Sequence, residues 1–144
     1  MLYSILLNIH SVLRWIILII ILITIIKSLA GWLKKQDYTV LDDKLSLFSL
    51  IFMHTQFILG IALFFISPIV KIGLQNMSVA MKNPEIRFWT VEHTTMMLIA
   101  IALITIGRIS SKKKSTHLLK NRTVFIYFTL ALIIILAGIP WDRV

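Results

Sequence analysis

Four long apolar stretches dominate the chain, each separated from the next by a short polar segment. The first runs from about Ile5 to Ala30 and includes the unbroken run from Trp15 to Ile26. The second runs from about Leu45 to Ile69, the third from Phe88 to Ile109 and the fourth from Val124 to Pro140. A hydrocarbon core of about 30 Å needs roughly 20 helical residues, so each stretch is of a length to cross it. The isoleucine content would suit strands in water. In lipid, however, a span must satisfy its own backbone polar groups, and continuous runs of this length do so as helices. The short alternating segments of a membrane barrel are not seen. The pattern predicts an all-α fold: one integral membrane domain over residues 1–144, an up-down four-helix bundle.

Composition agrees with that pattern. The chain is 58% hydrophobic and 15% charged, with a mean hydropathy of +0.92. Soluble domains run roughly 45–50% apolar and about 25% charged, which excludes an ordinary soluble enzyme. Cysteine is absent, which excludes disulfides, thiolate zinc sites, iron–sulfur clusters and a cysteine nucleophile. A net charge of +9 would point to nucleic acid in a soluble protein. Here the charges gather between the spans, and no nucleic-acid partner is expected. The connections are residues 31–44, 70–87 and 110–123, and Leu74 to Lys82 in the second is predicted as a short interfacial helix. The first and third connections share a face. With Lys27 and Arg108 that face collects ten Lys and Arg, against Lys71, Lys82, Arg87 and Arg143 on the other. The positive-inside rule then makes the basic face cytoplasmic and puts both termini on the outer, periplasmic side. The first span is expected to be retained and not cleaved as a signal peptide. No basic residue precedes it, and His10 and Arg14 interrupt its apolar region. The Lys112–Lys114 run reads as a topology signal at the membrane surface.

Ionisable residues within the spans carry the functional information, because lipid penalises them and they mark function by default. They are His10 and Arg14 in span one, His54 in span two, and Glu92 and His93 in span three. At about 100° per residue, Arg14 lies about 40° from His10, with Thr24 and Ser28 on the same stripe. Trp89, Met97, Ala100 and Gly107 share the face of His93, and the small ones admit a close helix or a flat ligand. Span two disagrees. Leu47, Ile61 and Phe65 accompany His54, while Ser49, Gln56, Gly60 and Ser67 lie on the opposite side. If that small polar side faces the core, His54 points to lipid or to a neighbouring subunit. His10 and His93 lie at similar depth, and in a bundle with short loops spans one and three are diagonal partners. Two opposed imidazoles with planar space beside them suit haem, and Arg14 suits a propionate. Each histidine has a plainer alternative as a hydrogen bond to a neighbouring helix, and Met97 as packing. Glu92 is expected at the interface or beside Arg87 or Arg14, and His117 in solvent.

The segments His10-Ser-Val-Leu-Arg-Trp15, Met53-His-Thr-Gln-Phe-Ile-Leu-Gly60, Val91-Glu-His-Thr-Thr-Met-Met97, Ile106-Gly-Arg108 and Ile139-Pro-Trp141 resemble those of small four-span proteins of Bacteroidota labelled "cytochrome B". The resemblance covers nearly the whole chain. It implies a multi-pass protein of the cytoplasmic (inner) membrane that binds haem b, with His10, His54 and His93 as candidate ligands, and leaves open which two hold iron. The expected function is electron transfer rather than stand-alone catalysis, exchanging with quinone or a partner protein. Besides the lipid bilayer, the partners expected are quinone, other respiratory or membrane-complex subunits, or a second copy of the chain. Two other readings stand beside it. One is a zinc or copper site built from His10, His54 and His93. The other is a cofactor-free accessory subunit of a larger membrane complex.

Overall fold

The computed structural model describes residues 1–143; Val144, at the end of the expected domain, lies outside the described residues. The elements are α1 (Leu2–Leu33), α2 (Val40–Ile66), α3 (Pro68–Gln75), α4 (Met77–Lys82), α5 (Pro84–Arg87), a π-helical turn (Phe88–Glu92), α6 (His93–Lys112), α7 (His117–Gly138) and a final 3₁₀ turn (Trp141–Arg143). No strand occurs among the described residues. Helices α1, α2 and α7 and the continuous segment Pro84–Lys112 are long and apolar enough to cross a membrane, as a multi-pass membrane protein requires. Helix α1 packs against α2 and α7, and α6 packs against α7 and more lightly against α2. The bundle is therefore up-down, with α1 and α6 facing each other across its centre.

The four spans differ from their predicted bounds where local chemistry overrides hydropathy. Helix α2 begins at Val40 because Thr39 and Asp42 form a capping box. The Thr39 hydroxyl accepts from the Asp42 N–H, and the Asp42 carboxylate accepts from the Thr39 N–H at 2.7 Å. It stops at Ile66 and not Ile69, because Pro68 forces extended backbone on Ser67 (ψ 126°). Thr116 caps α7, whose helix starts at His117, seven residues before the expected Val124. The connection expected over 70–87 is largely helical, and its middle helix, α4, falls within the interfacial segment predicted from Leu74 to Lys82.

What joins the helices is a seam on each, spaced alternately by three and four residues. The seam positions are Ile17, Ile21, Thr24, Ser28 and Gly31 on α1, with Ile25 buried beside them; Ala100, Ile104, Gly107 and Ser111 on α6, with Ile101 and Arg108 beside them; and Asn121, Val124, Phe128, Ala131, Ile135 and Gly138 on α7. On α2 the seam is Asp42, Ser46, Ser49, Met53 and Leu63, continuing to Ser67. A 3.5-residue repeat is the spacing of left-handed knobs-into-holes packing. The seams are rich in small and polar residues while isoleucines such as Ile19, Ile26 and Ile133 face outward. Lipid supplies no hydrophobic drive between helices, so close approach and interhelical hydrogen bonds do that work. At Gly107 the small residue admits Tyr127 of α7, and a Cβ would meet its Cβ at 2.5 Å. The space expected there for a helix or a flat ligand is thus taken by a helix.

The basic end of the bundle is closed by polar contacts. Arg108, counted above as a span-end cation, is only 6% exposed. Its guanidinium donates to the Asp43 carbonyl at 2.9 Å and to the Ser46 hydroxyl, and approaches the Asp43 carboxylate at 3.4 Å. Lys27 pairs with Asp42 at 3.1 Å, and Asn121 donates to the Gln36 carbonyl. His117, expected in solvent, is exposed but accepts from the Tyr38 N–H at 2.8 Å, tying the first connection to the third. The two basic connections do lie at one end.

Two outcomes are expected from this packing. Ser49→Leu, on the seam, should overpack the α1–α2 contact and destabilise by about 1–3 kcal/mol. His54→Leu, one position off the seam and exposed, should be neutral or stabilising; unfolding of both variants in mixed micelles gives the comparison. Burial also raises the Tyr38 phenol above its ordinary value, against the hydrogen bond from Ser46. A raised folded value means the neutral phenol is favoured in the bundle. The stability it lends is therefore fully present below pH 10 and lost as pH rises through the raised value. The wild-type minus Tyr38→Phe absorbance difference should show phenolate only above pH 10.

Candidate functional site

At the end of the bundle that carries the termini, the seams change character. The α1 seam extends upward through Arg14 to His10, the α6 seam downward from Ala100 through Met97 to His93, and the α2 seam through Gln56 and Gly60. The alternation of three and four residues is unbroken, so these side chains turn toward the same axis as the core. All of His10, Arg14, Gln56 and His93 are half-buried. His10 and Arg14 on α1 and His93 on the diagonal α6 therefore face one axis at this end.

His93 is oriented by the end of α7. Pro140 has no N–H to give to the Leu136 carbonyl, and the helix stops too soon to satisfy that of Gly138. Two side chains fill these places. The Trp141 indole N–H donates to the Leu136 carbonyl, and the His93 Nδ1–H donates to the Gly138 carbonyl, each at 2.8 Å. A carbonyl only accepts, so Nδ1 carries the proton and a neutral His93 keeps its Nε2 lone pair. The ring is flanked by Phe88 and Trp89, with centroids at 5.8 and 5.5 Å. These two residues open the π-helical turn, whose last hydrogen bond runs from the His93 N–H to the Phe88 carbonyl. Glu92, in the same turn, pairs with Arg87 at 2.6 Å rather than with Arg14.

His10 is held differently. The Gln56 amide donates to the His10 backbone carbonyl at 2.9 Å, and the His10 ring stands over Gly60. A Cβ at Gly60 would stand in contact with the His10 Cε1 at 3.4 Å. Trp15 meets Trp141 edge-on at 6.5 Å, which joins this end of α1 to the end of α7. Three buried atoms here make no hydrogen bond to any described residue: His10 Nδ1, Arg14 Nε and Gln56 Oε1. Buried polar atoms are nearly always paired. One donor, one acceptor and one imidazole nitrogen thus lie buried at this end without a partner.

His54 does not join them. It is exposed on the outer face of α2, its Nδ1–H donating to the Leu50 carbonyl of its own helix at 2.8 Å. Met53 and Gln56 hold the seam positions on either side, so His54 is turned away from the axis. The expected three-histidine zinc or copper set is therefore not formed. Among the described residues no three His, Asp or Glu side chains converge to hold a metal ion. Ser49, Gln56, Gly60 and Ser67 lie on the seam of α2 and His54 opposite them, as their angles predict. The sequence signal left unused is Pro140, whose missing donor leaves the Leu136 carbonyl to an indole at the end of α7.

Comparison with protein-family models, with curated proteins and with solved structures finds no match.

The cap has a measurable consequence. His93→Leu should leave the Gly138 carbonyl unpaired and cost about 1–3 kcal/mol, whereas His93→Gln, which retains a donor, should recover part of it. Unfolding of the two variants side by side checks the difference.

Proposed function

We propose that this chain is a membrane b-type cytochrome, an electron carrier whose haem is held at the termini end of the bundle by His10 and His93. The observation that carries the reading is that His10 and Arg14 on α1 and His93 on the diagonal α6 continue the inward-facing seams at the termini end, where His10 Nδ1, Arg14 Nε and Gln56 Oε1 are buried without a partner. The residues present fit such a group. His93 has the arrangement typical of a ligating histidine, in which one ring nitrogen donates to a carbonyl and fixes the other as the free lone pair. His10 keeps a buried Nδ1 without a partner. Arg14, with its Nε unpaired, is placed for a carboxylate. Haem bound there supplies a one-electron iron couple. The chain's own contribution is to orient the imidazoles, set a guanidinium by the anionic edge, and exclude water with Phe88, Trp89, Trp15 and Trp141. His54 is assigned no ligand role.

The orientation proposed is the one the charge asymmetry supports, with the basic end cytoplasmic and the haem end toward the periplasmic face of the inner membrane. Electrons would then be exchanged near that face, with quinone in the bilayer or with a partner protein. The second reading is a cofactor-free accessory subunit. It is favoured by one specific observation, that His93 already has a structural task at the end of α7.

A reduced-minus-oxidised spectrum of the purified chain, with a pyridine haemochrome assay, separates the two. The cytochrome reading expects a b-type α-band at about one haem per chain, lost in His10→Ala and in His93→Gln and retained in His54→Ala. A flat spectrum from folded protein would sink it. So would a full spectrum in His93→Gln, which keeps a cap donor but no imidazole.

A further inference from the structure

At the opposite end of the molecule, a groove of about 340 Å³ lies between the end of α6 and the start of α7. Its rim carries Lys114 and Arg122 with the hydroxyl residues Ser110 and Thr123, and its floor is Ile126 and Tyr127. Neither cation is paired with a carboxylate among the described residues, whose ion pairs are Lys27–Asp42, Arg87–Glu92 and Arg108–Asp43. Arg122 leans on the Trp32 ring at 5.9 Å, at the level where aromatic residues mark a membrane interface. Below the groove the floor continues along the outside of α7 as Ile126, Leu130 and Ile133, all exposed and spaced four and three residues apart.

We infer that this groove is a site for one anionic phospholipid, its phosphate held by Lys114 and Arg122 and an acyl chain laid along Ile126, Leu130 and Ile133. Two cations without a carboxylate partner, beside the Ser110 hydroxyl, recognise a phosphate, while the Thr123 hydroxyl is already spent on the Leu119 carbonyl; basic pockets between spans bind anionic headgroups. A free phosphate satisfies only the rim. The apolar track running from the floor into the hydrocarbon region is what selects a lipid. The rest of the basic end does not compete, because Arg108 and Lys27 are already occupied by protein partners.

The test is native mass spectrometry of the full chain released from micelles containing phosphatidylglycerol or phosphatidylcholine. One phosphatidylglycerol per chain should be retained in preference to phosphatidylcholine. Lys114→Gln with Arg122→Gln should weaken retention about twenty-five-fold, at about fivefold per basic side chain near an anionic surface. Lys34→Gln with Lys35→Gln removes the same charge at the same end and should change retention less than about twofold. Thr123→Trp, which fills the groove and keeps both cations, should also lose the lipid. Equal loss in the two charge variants would overturn the site in favour of a diffuse surface charge. Equal retention of phosphatidylcholine would overturn the headgroup assignment. Displacement of the lipid by an equal concentration of inorganic phosphate would overturn the role of the acyl track. A thermal melt of each variant establishes that it is folded.

Discussion

Helices in lipid gain nothing by hiding leucine from water, so their contact must come from close approach and from polar groups that find each other. This chain meets that constraint with four seams of alternating three- and four-residue spacing. The one on α2 reads Asp42, Ser46, Ser49, Met53, Gln56, Gly60, Leu63, Ser67. The rest of the structure hangs on that register. Because His10 and Arg14 continue the seam of α1 and His93 that of α6, they turn inward together. Because His54 falls between seam positions, it turns outward. A shift of a single residue along α2 would exchange His54 with a seam position and dismantle the Ser46–Arg108 contact.

The seams divide the interior into three levels. At the basic end the polar groups are largely satisfied: Thr24 lies 3.3 Å from Ser49, Arg108 reaches Asp43 and Ser46, and Lys27 reaches Asp42. In the middle lies a dry layer of Ile17, Ile21, Met53, Ile104 and Phe128. At the termini end the pairing is mixed: His93 and Trp141 serve the carbonyls of Gly138 and Leu136, while His10 Nδ1, Arg14 Nε and Gln56 Oε1 are buried without a partner. Burying polar atoms costs stability unless they are paired, so these three atoms oppose the contribution that the caps make.

Much of this was legible in the sequence, for identifiable reasons. Hydropathy sufficed for the four spans, and the opposition of His54 to Ser49, Gln56 and Gly60 was visible as an angle on one helix. Helix ends were missed where a single cap outweighed hydropathy, as at Thr39, Thr116 and Pro68. Arg108 was legible only as a span-end cation and its burial was not, because its partners, Asp43 and Ser46, lie more than sixty residues away and only the fold brings them together. The π-helical turn before His93 had no signal in the sequence; in the fold it packs against α3.

The end of α7 has a consequence for how this protein can vary. Pro140 withholds a donor from Leu136, and the indole of Trp141 and the imidazole of His93 serve the two carbonyls left behind. The fitness of each of these residues therefore depends on the others, although His93 is more than forty positions distant. A drift of Pro140 to any residue with an N–H would offer Leu136 a second donor and relax the hold on the indole, yet do nothing for the imidazole. Lineages would then be expected to lose tryptophan at 141 only after proline at 140, and to keep histidine at 93 through both events. An ordered epistasis of that kind would be the historical trace of one missing hydrogen atom.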